Sequence, residues 1–222
     1  IPRDRAAALA LQVAANADEL SRTEQRLLAQ LFSDLHDEVI EQDSSRSPRP
    51  EPHLLRYSEP SIGRFYFNMH GKQSVIANRG PQYQPNELIS ETAYGGALRG
   101  TLGGTLGFYA QATNMVRRGE GVTEERFDAA SGAPVVTSGE NVIRDEATAY
   151  FIWERPWLRV QAGRDEVVWG PVLRQGVTLS RNMPPADALR LDVRFKNFKF
   201  TSAHMWLRSD LGTKYMTAHR LD

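Results

Sequence analysis

The chain has no cysteine, which removes disulfides, thiol catalysis and cysteine-based metal sites together. It has no surplus of either charge, with Lys plus Arg at 27 and Asp plus Glu at 27. A nucleic-acid footprint needs a basic excess, so none is expected. No stretch approaches the roughly 18 consecutive apolar residues of a membrane-spanning helix. Strands that alternate apolar and polar residues keep hydropathy averages low, however, so a membrane β-barrel stays open. His36, His53, His70, His204 and His219 are scattered, with neither HxH nor HExxH among them, and no metal or cofactor is expected. No signal peptide is visible, and Ile1 in place of Met points to a processed or trimmed start. The 222 residues are 41% apolar and 24% charged, which suits a packed fold rather than global disorder.

Residues 1–42 read as a small helical hairpin. Ser21 and Glu24 stand at capping-box spacing, where hydroxyl and carboxylate each satisfy an orphan backbone N–H. Leu27, Leu28, Leu31, Phe32, Leu35 and Val39 then recur at helical spacing. The preceding "RDRAAALALQVAANADEL" is Ala-rich and also helical in character. A packing element is the plain reading of this pair. Residues 43–60 hold four prolines and several serines, as in a linker or an extended lead-in.

From Ser61 to Asp222 the period changes to two. In "RFYFNMH", Phe65, Phe67 and Met69 alternate with Tyr66, Asn68 and His70. Leu106, Phe108, Ala110 and Ala112 alternate with Gly107, Tyr109, Gln111 and Thr113. Leu189, Leu191, Val193 and Phe195 do the same with Arg190, Asp192 and Arg194, and "WLRVQAG" repeats the pattern. One apolar and one polar face on each segment is the mark of antiparallel sheet, and about eight strands are expected. Residues 62–78 read most simply as one long bulged strand.

Short connections at 100–104, 154–156 and 196–197 alternate with long ones at 117–145 and 166–188. Short turns at one end and long loops at the other is the layout of an outer-membrane barrel meander. Tyr150, Phe151, Trp153 and Trp157 cluster around one short turn, with Trp206 far along its own strand. Aromatic rings at both bilayer interfaces fit this layout, and aromatic filling of a soluble core is the alternative. On that topology Leu106, Phe108, Ala110, Leu191, Val193 and Phe195 face lipid. Tyr109, Gln111, Arg190, Asp192 and Arg194 face the interior, and the helical hairpin lies in the periplasm beside the short turns.

"GRDEVVWGPVLRQGVTLSRNMPPADALRLDVRF", followed by "KYMTAHRLD", resembles the capsule assembly protein Wzi family. The matching positions are Gly163, Arg164, Trp169, Gly170, Pro171, Leu179, Ser180, Asn182, Pro184, Pro185, His219, Arg220 and Leu221. "LRGTLGGTLGFYAQATN" (98–114) looks like that family's early barrel hairpin, so the similarity spans roughly residues 95–222. Val172 and Met183 depart from it, standing where the family usually has Gly and Ala. The resemblance implies a many-stranded outer-membrane barrel that holds capsular or exopolysaccharide at the cell surface and is not an enzyme. Such barrels have about twice this many strands, so the chain reads as a fragment.

The candidate polysaccharide-binding or lumen residues are Arg164, Asp165, Trp169, Arg181, Asn182, His219 and Arg220. An arginine fork beside carboxylates suits sugar carboxylates and hydroxyls, and it equally suits a salt-bridge network holding a long loop. Trp169 offers a face for a sugar ring or an anchor for the loop. The loop 166–188 is expected to fold back over or into the lumen, with Gly163, Gly170 and Gly176 allowing turns and Pro184–Pro185 stiffening its return. Asp165 with Glu166, and Asp145 with Glu146, are poor glycosidase pairs because strand neighbours point to opposite faces. "GGALRGTLGGTLG" lacks the Lys-Ser/Thr of a phosphate loop, and its glycines suit tight turning and close strand approach. His219 and Arg220 must take opposite faces, and the pattern leaves open which of them looks inward. A diffusion porin and a soluble all-β carbohydrate-binding or glycosidase domain are the alternative readings.

Overall fold

The computed structural model describes residues 3–43, 45, 53–59, 61–80, 83–119, 127–128, 133–138, 141–167, 184–207, 212 and 214–222. The chain divides into two units, Ile1–His53 and Leu54–Asp222.

In the first unit the capping box forms as its spacing requires. Ser21 Oγ accepts from the Glu24 backbone N–H at 3.3 Å, and Ser21 N–H donates to Glu24 Oε2 at 2.8 Å. Three helices result: α1 (Arg3–Ala14), α2 (Arg22–Asp34) and α3 (His36–Gln42), with a 3-10 turn at Ala17–Glu19. The sequence predicts two helices; the second breaks at Leu35, whose φ of −110° is not helical. The break serves packing. Leu28 joins Ala10 and Ala14 of α1, while Leu35 and Val39 join Ala7 one turn earlier. Alanines along α1 let these larger side chains approach closely. His53 Nε2 and Asp37 Oδ2 meet at 2.8 Å with both side chains fully buried, and Arg3 Nε donates to Glu38 Oε1 at 2.8 Å.

The second unit is antiparallel sheet throughout. Its strands are β1 (Leu55–Glu59), β2 (Gly63–Gly80), β3 (Tyr83–Leu102), β4 (Leu106–Gly119), β5 (Phe127–Asp128), β6 (Ala133–Ser138), β7 (Asn141–Arg155), β8 (Leu158–Asp165), β9 (Ala186–Phe195), β10 (Phe198–Leu207) and β11 (Lys214–Leu221). The order β1-β2-β3-β4-β7-β8-β9-β10-β11 is a meander, with β6 pairing β7 at one end and β5 pairing β6. Nine strands therefore stand in line where about eight are expected. β1 is the addition, lying inside the stretch read as linker. The stretch read as one bulged strand over 62–78 is the single strand Gly63–Gly80, regular until a register shift at Asn78/Gly80. The stretch 117–145, read as open loop, contains the β6–β7 hairpin, pairing from Ser138↔Asn141 to Val135↔Arg144.

The connections at one end of the ladder are all short. Gly103 and Gly104, at φ +55° and +62°, carry the chain from β3 to β4, and Lys196, at φ +52°, helps turn it from β9 to β10. Between β7 and β8 the turn falls at Pro156–Trp157 rather than 154–156, because Arg155 still pairs with Leu158. The opposite end is not uniformly long-looped. There β2 and β3 are joined across residues 81–82 alone, and they pair well beyond the Ile89↔Gly119 end of the β3–β4 ladder. The extra length is taken up by hairpin. β1 lies only along the first five residues of β2, from Leu55↔Phe67 to Glu59↔Gly63.

Cross-strand register carries each face through the whole ladder. Phe67, Leu98, Ala110, Ala149, Arg164, Asp187 and Trp206 are successive partners on one face. Along each strand the neighbours two residues away share that face, so Leu191, Val193 and Phe195 lie with Leu106, Phe108 and Ala110. Tyr109, Gln111, Arg190, Asp192 and Arg194 lie on the other. Exposure runs opposite to that of a water-soluble sheet. On the apolar face Met69 is 69% exposed, Phe195 67% and Phe151 61%, whereas Asp192 and Thr201 on the polar face are 1% exposed. Strong contacts between strands all join sheet neighbours, with no second strand layer over either face among the described residues.

Candidate functional site

The polar face is built by every second residue of each strand, and on β7–β11 its charges are matched. Asp192 accepts from Arg190 Nε at 3.1 Å and lies 4.0 Å from Lys199 Nζ. Glu154 faces Arg194 at 3.6 Å, Arg144 faces Glu146 at 3.8 Å, and Gln161 Nε2 donates to Asp165 Oδ2 at 2.6 Å. Toward the long-loop end an apolar island interrupts this face, where Val167, Ala186, Ala188, Ala203 and Met205 pack together. Val167 shows that the loop after β8 starts over the polar side. The rest of that loop, 168–183, lies outside the described residues.

The four candidate residues that are described, Arg164, Asp165, His219 and Arg220, do not converge. Trp169, Arg181 and Asn182 lie outside the described residues. Arg164 and Asp165 are split across the sheet. Arg164 sits on the apolar face at the strand end and grips Asp187 with two hydrogen bonds of 3.0 and 3.3 Å, while Asp165 sits on the polar face. Arg164 therefore does not supply an inward donor; alternation sends it the other way. His219 also takes the apolar face, its ring stacked on Phe200 at 5.8 Å. Arg220 takes the polar one, donating to Asp222 Oδ1 at 2.5 Å. Asp165 and Arg220 share a face yet stand at opposite ends of it, since Asp165 pairs with Ala186 and Arg220 with Thr201. Asp145 and Glu146 are divided as well: Asp145 accepts from Asn114 Nδ2 at 2.6 Å on the apolar side. Gly163 is a strand residue rather than a loop turn, with φ +130°; a Cβ there would stand 2.2 Å from the Ala149 carbonyl oxygen.

Register reveals a grouping that the linear sequence hides. Arg56, Tyr66, Arg99, Tyr109 and Tyr150 are successive cross-strand partners on the polar face of β1, β2, β3, β4 and β7. The Arg99 guanidinium lies 5.2 Å from the centre of the Tyr66 ring, and that of Arg56 lies 5.9 Å from it. Tyr109 and Tyr150 stack at 5.5 Å, and the Tyr109 hydroxyl donates to Gln111 Oε1. Tyr66 is buried. These residues come from five strands, so only the pairing brings them together; their presence on the polar phase of each alternation was the available signal.

On the apolar face a groove of about 560 Å³ runs between Phe67 and Met69 on one side and Ala147 and Ala149 on the other, floored by Gly96 and Ala110. It has no polar chemistry to offer a sugar. Among the described residues no three His, Asp or Glu gather as a metal site, and no helix is long and apolar enough to cross a membrane. Compared with known proteins, the chain matches no family model, no curated protein and no solved structure.

Proposed function

We propose that the chain is part of an outer-membrane β-barrel that holds capsular or exopolysaccharide at the bacterial surface, without enzymatic chemistry. One observation carries the reading: the sheet exposes its apolar face and buries its polar one. In water that arrangement leaves Phe151, Phe195, Phe198 and Trp157 uncovered on a patch far larger than soluble domains tolerate. Against lipid it costs nothing, and a closed barrel leaves no free strand edge in the hydrocarbon.

The dimensions agree. On β9 the apolar run from Leu189 to Phe195 covers roughly 20 Å at about 3.3 Å per residue. Exposed aromatics flank such runs, with Trp153, Trp157, Phe195 and Phe198 toward the short turns and Tyr94, Trp206 and Tyr215 toward the other end. Together they approach the band of about 25 Å that outer-membrane barrels present to lipid. The polysaccharide role draws on the resemblance of residues 163–185 and 214–222 to the capsule assembly protein Wzi family.

The test is expression in an encapsulated bacterium followed by fractionation. The protein should sediment with the outer membrane, need detergent for extraction and migrate differently on gels with and without heating. Its deletion should release capsule into the medium. A chain that stays in solution without detergent would overturn the barrel, and unchanged capsule retention would overturn the polysaccharide role.

A further inference from the structure

We infer that the groove on the apolar face holds an acyl chain of a membrane glycolipid, whose phosphorylated sugar head rests against Tyr94, Asn114, Asp145 and Arg164. The inference rests on the reading of this face as lipid-facing and of the long-loop end as outermost, and it names the lipid that the face takes.

The groove is a local gap in a bulky surface. One row nearer the short turns, the same face carries Phe65, Phe108 and Phe151. In the groove it carries Gly96, Ala110, Ala112, Ala147 and Ala149 instead. Gly96 makes room for one wall: a Cβ there would stand 3.2 Å from the Phe67 ring, which leans over that position. Met69, 69% exposed, extends the same wall. From β2 to β7 the groove crosses three strand spacings, roughly 14 Å in all. One leaflet of hydrocarbon is about 15 Å deep, so the groove matches the length of chain that a leaflet holds. An alkyl chain laid in it gains close contact along its length, which a ridge of large side chains does not offer.

Polar groups border the groove toward the long-loop end. Asn114 and Asp145 stand one row beyond Ala112 and Ala147, and Asn114 Nδ2 donates to Asp145 Oδ1 at 2.6 Å. Tyr94, 58% exposed, belongs to the same row. Arg164 is the cross-strand partner of Ala149, with Asp187 beyond it on β9. A floor of alanine and glycine edged by amide, carboxylate, phenol and guanidinium suits an amphiphile. A carboxylate accepts sugar hydroxyls, and a guanidinium meets phosphate. Two carboxylates along this edge, Asp145 and Asp187, favour a head rich in hydroxyl donors over a bare phosphate diester. The long-loop end is the outer side of such a barrel, and the outer leaflet there is built of phosphorylated, acylated sugars.

The experiment titrates the full chain, folded in detergent micelles, with diphosphoryl lipid A or with phosphatidylglycerol of the same acyl length. Native mass spectrometry counts the lipids bound. Lipid A should reach half-occupancy at a concentration about tenfold lower. Ala112→Leu and Ala147→Leu fill the floor, and each should raise that concentration about fivefold for both lipids. Ala162→Leu, the same change on the same face outside the groove, should leave it unchanged. Asp145→Ala removes an acceptor of sugar hydroxyls and should raise it about fivefold for lipid A alone. Heat-modifiable gel migration confirms that each variant is folded, and should Ala112→Leu not fold, Ala147→Leu carries the comparison. Equal occupancy by the two lipids would overturn the glycolipid, and parental occupancy in the folded floor variants would overturn the groove. A chain that needs no detergent would sink the barrel reading and this inference with it. A detergent-dependent chain with no preference for lipid A would sink the inference alone.

Discussion

Gly163 shows how much a single backbone position can demand. It sits within β8 at φ +130°, opposite Tyr150, where an added Cβ would meet the Ala149 carbonyl oxygen at 2.2 Å and Tyr150 Cβ at 3.0 Å. Both conformation and space call for glycine. Gly163→Ala should destabilise the sheet by on the order of 1–3 kcal/mol, read as a lower unfolding midpoint in detergent. Gly103→Asn should be far milder, since φ +55° suits asparagine and nothing lies within 4 Å of its Cβ. Charge gives a second contrast. Asp192 is buried between Arg190 and Lys199, so Asp192→Asn leaves cations facing one another and should cost on the order of 3 kcal/mol. Arg164→Gln breaks a partly exposed pair with Asp187 at the strand end and should cost under about 1 kcal/mol. Equal losses in the two variants, measured in the same denaturant series, would contradict the burial difference between the two faces.

Elements differ in how far local residues determine them. The Ser21–Glu24 box is wholly local, and the Ser21 hydroxyl, followed by its backbone N–H, holds the Glu24 carboxyl below its usual 4.5. A carboxyl depressed in the folded state stabilises above its unfolded pKa, and that contribution is lost as pH falls through the lower folded value. Amide exchange at the first turn of α2 should therefore quicken as pH drops below 4.5, after correction for intrinsic rates. Glu24→Gln, which can still form the box, should show no such step. Alternation in strands is equally local, which is why Leu106 with Phe108 and Leu191 with Val193 are assigned to one face before any pairing is known. Elements whose cause lies elsewhere in the chain are harder to read. β1 is five residues whose only pairing among the described residues is with β2, and it sits among prolines that signal linker. Arg164 and Asp165, adjacent and both charged, look like one site until pairing with Asp187 and Ala186 divides them. The arginine–tyrosine row is a property of register, set by contacts between residues far apart in sequence.

For the whole molecule the deciding question is which solvent meets the apolar face, and Val193→Arg asks it directly. Val193 lies on that face in β9, paired with Leu158 on one side and Phe200 on the other. If the face meets lipid, arginine there should cost roughly 2–4 kcal/mol near the middle of the bilayer. Thr148→Arg adds the same side chain to the polar face of β7, where lumen water can solvate it, and should cost much less. If the sheet instead works in water, the order reverses. Arginine at position 193 would then shrink an exposed apolar patch and raise solubility, while at position 148 it would enter the more buried polar face. Unfolding midpoints of both variants in lipid vesicles, set beside their solubility without detergent, separate the cases. We expect Val193→Arg to be the destabilised one, and to remain insoluble without detergent, because one changed residue leaves Phe151, Phe195 and Phe198 exposed around it.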